Sequence, residues 1–137
     1  MGNDYENFVM IYTLVPNILE EIITYLQTTY DYEYYGKVQI ISKYKTAFDF
    51  IILTKNQPFI ELQQIFKKYE NKIYIKNTWT DKDDGLSGVD IYSEKGHDQF
   101  IWNQPPDYYV NQIPTSWTEG LRPLESRALE EEEIKVT

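Results

Sequence analysis

An α+β domain is predicted by three observations. Strand-like and helix-like periodicities alternate over the first 96 residues. The two halves of that stretch each contain a helix followed by a strand pair. The 137-residue chain is 42% hydrophobic, enough apolar side chain for one core.

The run 8–15 is apolar and β-prone, and Pro16 then stands where a helix accepts proline in its first turn. Ile18, Leu19, Ile22, Ile23 and Leu26 recur at steps of three and four, so a helix is expected over about 16–28 with Glu20, Glu21, Thr24 and Gln27 on its polar side. The segments 37–42 and 46–54 read as two strands of a hairpin joined by a polar turn at 42–45. Asn56-Gln57-Pro58 announces a second helix over about 58–70, in which Phe59, Leu62, Ile65, Phe66 and Tyr69 share one face. Ile73, Ile75, Asn77 and Trp79 then alternate with Tyr74, Lys76 and Thr78 on a strand. The turn 81–85 and a strand over 89–93 complete a second hairpin. The order β-α-β-β-α-β with one added strand is that of the ferredoxin-like split βαβ fold, an antiparallel sheet with two helices on one face.

Residues 1–96 are therefore expected to form the domain. Residues 97–123, with Trp102, Trp117 and four prolines, are expected to be an irregular extension packed on the core, and 124–137 an acidic helix or tail.

Cysteine is absent, which excludes a disulfide framework, a thiolate nucleophile and a Cys-based zinc site. The start, Met1-Gly2-Asn3-Asp4-Tyr5-Glu6, is acidic where a secretion signal is basic, and apolar runs such as 48–53 are too short for a bilayer. The expectation is a cytoplasmic protein with no membrane partner.

The formal charge of −9 is unevenly placed. Residues 1–36 carry six acids and no Lys or Arg, residues 37–76 are net +5, and residues 77–137 are net −8. Net acidity argues against a general nucleic-acid ligand, yet Lys43-Tyr44-Lys45 in the basic centre sets an aromatic between two bases, a form that binds phosphate and base together. The competing reading is that these lysines coat the solvent side of the elements.

The segment Tyr30-Asp31-Tyr32-Glu33-Tyr34-Tyr35 alternates aromatic and acid before Gly36. Tyrosine gives broad contact area at low entropic cost, and carboxylates complement a basic partner. With Asp81, Asp83 and Asp84 it forms the expected partner-binding surface, extended by Asp90, Asp98, Asp107 and the terminal glutamates. The alternative is a solvated loop whose tyrosines close the core. A divalent-cation reading of Asp81, Asp83, Asp84 and Asp90 fails on spacing, because Gly85 falls one place early and position 12 is Tyr92. Pro106-Asp107 with Glu133-Ile134-Lys135 has the text of a metal-dependent nuclease, but Lys135 is the third residue counting back from the last one. His97, after Gly96, is expected in a loop as an exposed or turn-capping residue. No cofactor, metal site or catalytic set is expected.

The stretch 57–96, with the second helix, the strand carrying Trp79, the acidic turn, Gly85-Leu86-Ser87-Gly88 and Tyr92, resembles the YubB-type ferredoxin-like proteins of phages and plasmids. The resemblance implies an accessory protein of a mobile element without catalytic residues. The leading expectation is a non-enzymatic acidic inhibitor that blocks a basic, nucleic-acid-binding site of a nuclease or defence complex, anti-CRISPR-like in kind. An immunity protein against a toxin nuclease and a nucleic-acid-binding module using the lysine-rich centre are the alternatives.

Overall fold

A computed structural model describes residues 4–15, 17–30, 37–55, 57–102 and 122–134. The elements are β1 (Asp4–Thr13), α1 (Leu19–Thr29), β2 (Gln39–Lys43), β3 (Ala47–Lys55), α2 (Leu62–Lys68), β4 (Ile73–Asp81), β5 (Ser87–Ser93), β6 (Gly96–Trp102) and α3 (Arg122–Glu130). The six strands form one antiparallel sheet in the order β2-β3-β1-β4-β5-β6. This α+β arrangement is compatible with a ferredoxin-like fold.

β1 is the axis of the sheet and pairs with β3 on one side and β4 on the other. Alternation along the strands assigns the two faces. On the first, Val9, Ile11, Phe48, Phe50, Ile52, Ile73 and Ile75 meet α1 and α2 through Leu19, Ile22, Ile23, Leu26, Leu62 and Ile65. α1 forms because its apolar stripe has this surface to cover, and Glu20 and Glu21 in its first turn complement the positive end of the helix dipole. Lys67 and Lys68 do the same at the negative end of the shorter α2. On the second face, Tyr12, Ala47, Tyr74, Val89 and Ile91 meet Leu124 and Ala128 of α3.

Isolated polar side chains organise the apolar first face. Asn7, fully buried in mid-β1, donates from Nδ2 to the Ile52 carbonyl (3.2 Å) and Thr54 Oγ1 (3.0 Å) on β3. Its Oδ1 accepts from Asn77 Nδ2 on β4 (3.1 Å) and from the Phe59 amide (2.9 Å), just before α2. Trp79 lies across Gly88 on the neighbouring strand, where an added Cβ would sit 2.2 Å from the indole.

Four expectations are corrected. Residues 96–102 are a strand rather than the beginning of an irregular extension, and the boundary placed after residue 96 falls inside a hairpin whose turn is Glu94-Lys95. His97 accordingly lies on β6, opposite Tyr92, and not in a loop. The physical reason is that β6 pairs along its whole length with β5 and needs little apolar patterning of its own. The helix over 58–70 is shorter than expected, and β1 begins four residues earlier. Of the extension, 103–121 lie outside the described residues; beyond it the acidic terminus contains α3.

Replacing Asn7 by Ala strands the Phe59 amide and the Asn77 side chain without their acceptor and is expected to cost about 2–4 kcal/mol in a denaturant titration. Gly88→Ala forces Trp79 aside and is expected to cost about 1–3 kcal/mol in the same measurement.

Candidate functional site

The acidic and aromatic residues singled out in the sequence are distributed over several places. Asp31, Tyr32, Glu33, Tyr34 and Tyr35 lie outside the described residues. Tyr30 is buried at the end of α1, its ring edge-on to Phe59 at 5.0 Å, so it serves the core. Asp81 is 1% exposed, and its Oδ1 accepts the amides of Asp83 (3.0 Å) and Asp84 (3.2 Å), closing the turn after β4. Asp83 and Asp84 are exposed there, and Asp83 Oδ2 also accepts the Asp4 amide at 2.7 Å. Lysines temper the charge of this end, since Lys55 pairs with Asp4 (3.6 Å) and Lys82 with Glu6 (3.2 Å).

The basic centre is likewise divided. Lys43 is mostly covered and ion-pairs with Glu20 of α1. Tyr44 packs on the second-face cluster, and Lys45 is exposed. Lys68 stands over the rings of Tyr25 (4.9 Å) and Tyr69 (5.7 Å). Lys76 projects from the opposite face of the sheet to Lys43, as the pairing registers require.

Sequence reasoning missed a polar knot around Asp90, which is 3% exposed on β5. Trp79 Nε1 donates to its Oδ2 (2.8 Å), while Gln99 Nε2 (2.8 Å) and His97 Nε2 (2.6 Å) meet its Oδ1. The neutral ring must carry its proton on Nε2 to meet a carboxylate, leaving Nδ1 as its acceptor. His97 also stacks on Tyr92, with ring centroids 4.2 Å apart. The spacing of His97 and Gln99, on one side of an alternating strand, is the signal that could have found this knot. Its evident work is to fasten β6 and β4 to β5.

The acids and tyrosines that do come together lie on the second face, around α3 and the segment after it. Leu124, Arg127, Ala128 and Glu131 follow one another at helical spacing toward the sheet. Arg127 Nη2 donates to the Thr13 carbonyl at the end of β1 (2.6 Å). Glu131 Oε1 accepts the amide (3.1 Å) and hydroxyl (2.6 Å) of Thr46 in the turn between β2 and β3. The Ile134 amide then donates to the Lys43 carbonyl at 2.6 Å, and Ile134 lines a cavity of about 320 Å³ with Asn17, Leu19, Glu20, Lys45 and Thr46. Residues 131–134 are thus a strap passing from the second face round the turn toward α1. Glu130, Glu132 and Glu133 are exposed along it.

Electrostatics on this face are acidic. Burial, then Glu125 and Asp49, push the Tyr12 hydroxyl's pKa upward. Burial and Glu94 raise that of Tyr74. Asp49 on β3 is 8% exposed, and its pKa is raised by burial against the opposing hydrogen bonds from Ser42, with Glu133 adding to the rise. Its Oδ1 has no hydrogen-bond partner.

Among the described residues no group of three or more His, Cys, Asp or Glu side chains is placed to hold a metal ion, and no helix is long and apolar enough to cross a membrane. Asp107 and Lys135 lie outside the described residues, and Glu133 belongs to the strap. In comparisons with known proteins, the chain matches no family model, no curated protein and no solved structure.

Asp90→Ala leaves three donors without their acceptor and is expected to lower stability by about 2–4 kcal/mol and to speed amide exchange in β6 before β1. For Asp49 the folded state holds the proton more tightly than the unfolded state, so folding loses stability as pH rises through the ordinary aspartate range and up to the raised value. Asp49→Asn is therefore expected to raise the melting temperature at pH 7, with the gain vanishing near pH 3.

Proposed function

We propose that this chain is a non-enzymatic, ferredoxin-like binding protein whose acidic surface occupies a basic, nucleic-acid-binding site on another protein. The observation that carries the reading is the strap. Glu130, Glu132 and Glu133 are exposed on chain that Glu131 and Ile134 tie to the turn and edge of the sheet, so their charges are held in place instead of trailing in solvent. Pre-organised carboxylates lose less entropy on meeting a basic partner and steer its approach. Glu125 near the buried Tyr12 and Glu94 near the buried Tyr74 add further acids to the same face. The segment 31–35, without the buried Tyr30, remains a second proposed contact, with Asp83 and Asp84 at the far end of β4.

The partner class that fits is a nuclease or defence complex, with the protein acting as a steric and electrostatic block encoded by a phage or other mobile element. The resemblance of 57–96 to YubB-type proteins supports that setting, and an immunity protein against a toxin nuclease would use the same chemistry. The lysine-rich alternative is less well supported, because Lys43 is neutralised by Glu20 and Lys76 projects from the other face.

A partner recovered from host lysate and then purified allows the test. Glu130→Lys, Glu132→Lys and Glu133→Lys together are expected to weaken its binding at least about tenfold at low salt and to flatten the salt dependence, with the melting temperature nearly unchanged. Tyr32→Ala with Asp31→Lys and Glu33→Lys measures the second contact in the same assay. Binding that survives both variants overturns the reading, and tight binding of short RNA or DNA at low salt moves the function to Lys43, Tyr44 and Lys45.

A further inference from the structure

Asp49 carries a charge that the fold does not use. It lies on the second face of β3, opposite Ser42 of β2, and is more than nine-tenths buried. Ser42 hydrogen-bonds to the carboxylate, yet Oδ1 has no partner. A buried carboxylate oxygen without a donor is costly, and an amide at the same position would satisfy Ser42 without the charge.

The surroundings deepen the cost instead of relieving it. Glu133 on the strap raises the proton affinity of Asp49, and Glu125 of α3 joins it around Tyr12. On β1 the neighbour is Met10. Of the cations on this face, Lys76 of β4 is separated from Asp49 by the whole of β1, a backbone distance of about 10 Å, and Arg127 of α3 is turned to the Thr13 carbonyl at the end of β1. Two carboxylates, one of them buried with an empty acceptor, are thus neighbours, and neither cation is the charge partner of Asp49.

We propose that Asp49 and Glu133 form a receptor for one arginine side chain of the basic partner. The inference rests on the acidic-surface reading and gives it a specific anchor. A guanidinium suits the place because its planar fork of donors can serve Asp49 Oδ1 and the Glu133 carboxylate together, whereas an ammonium is a point charge. Oδ1 is closed to solvent, so the side chains around it have to shift to admit the cation. Past Glu131, the strap's tie to the sheet is the bond from the Ile134 amide to the Lys43 carbonyl. That bond keeps the backbone beside Glu133 in place while the cation enters.

The test uses the full chain, followed by amide NMR, with N-acetyl-Gly-Arg-Gly-amide as probe and the citrulline and lysine counterparts as controls. The arginine peptide is expected to give saturable shifts at Ser42, Asp49 and Ile134. Citrulline is expected to give none. Asp49→Asn and Glu133→Gln are each expected to weaken the response at least about fivefold, with the melting temperature of each variant measured beside it so that a loss of response is told apart from a loss of fold. No saturable shift with the arginine peptide, an unchanged response in Asp49→Asn, or an equal response to lysine overturns the receptor. With the purified partner, binding abolished by the three Glu→Lys changes but untouched by Asp49→Asn overturns this site alone and leaves the acidic surface standing. Indifference to both sets overturns the two together.

Discussion

The sheet depends on what Asn7 does in the middle of β1. That strand is flanked on both sides, so a polar side chain on its buried face has no water to turn to and must be satisfied by the fold itself. One amide group reaches β3 through Ile52 and Thr54, β4 through Asn77, and the approach to α2 through Phe59. A slip of one residue in either register would turn Asn7 and its partners to opposite faces. Apolar packing supplies most of the driving force for this face, but it is tolerant of small displacements. The Asn7 network is not, and it fixes where α2 begins relative to the sheet.

The same economy explains much of the acidity. Asp81 closes a turn, Asp90 gathers three donors from β4 and β6, and Glu131 holds the turn between β2 and β3. These carboxylates are acceptors for backbone and side-chain donors, a use in which the negative charge strengthens the bond. Net charge therefore overstates the acid offered to a partner. The carboxylates left over are concentrated at the strap, where their backbone is anchored.

Legibility in the sequence followed apolar periodicity. α1 and β4 were readable because their buried positions are hydrophobic at the right step. β6 was not: Gly96-His97-Asp98-Gln99 offers hardly any apolar signal, and its strand state is secured by β5 and by the hold of Asp90 on His97 and Gln99. α3 was half legible, since Leu124 and Ala128 are spaced correctly but embedded in a run of glutamates that reads equally as a tail. The expected site fared differently by residue. Tyr30 and Asp81 look like surface chemistry in a string of letters and turn out to be core and turn groups, because a tyrosine ring can pack as an apolar body, an aspartate can be taken up by turn amides, and only the folded contacts decide.

Asp49 shows where such reading stops. Within Ala47-Phe48-Asp49-Phe50-Ile51-Ile52 a lone acid in an apolar strand suggests an outward side chain, and its position on the opposite face to Phe48 and Phe50 agrees with that. What the strand pattern does not contain is that Ser42 and the C-terminal strap converge on that face, which requires a bulge at Ile41 and a chain segment more than eighty residues away. Glu131 and Asp49 make the contrast plain. Both lie beside the β2–β3 hairpin and both are acids, but the first accepts the amide and the hydroxyl of Thr46 through Oε1 while the second keeps a buried, unfilled oxygen near a like charge. A fold optimised only for its own stability would reverse that investment at Asp49, and the carboxylate there makes physical sense as half of an interaction whose positive half arrives from outside.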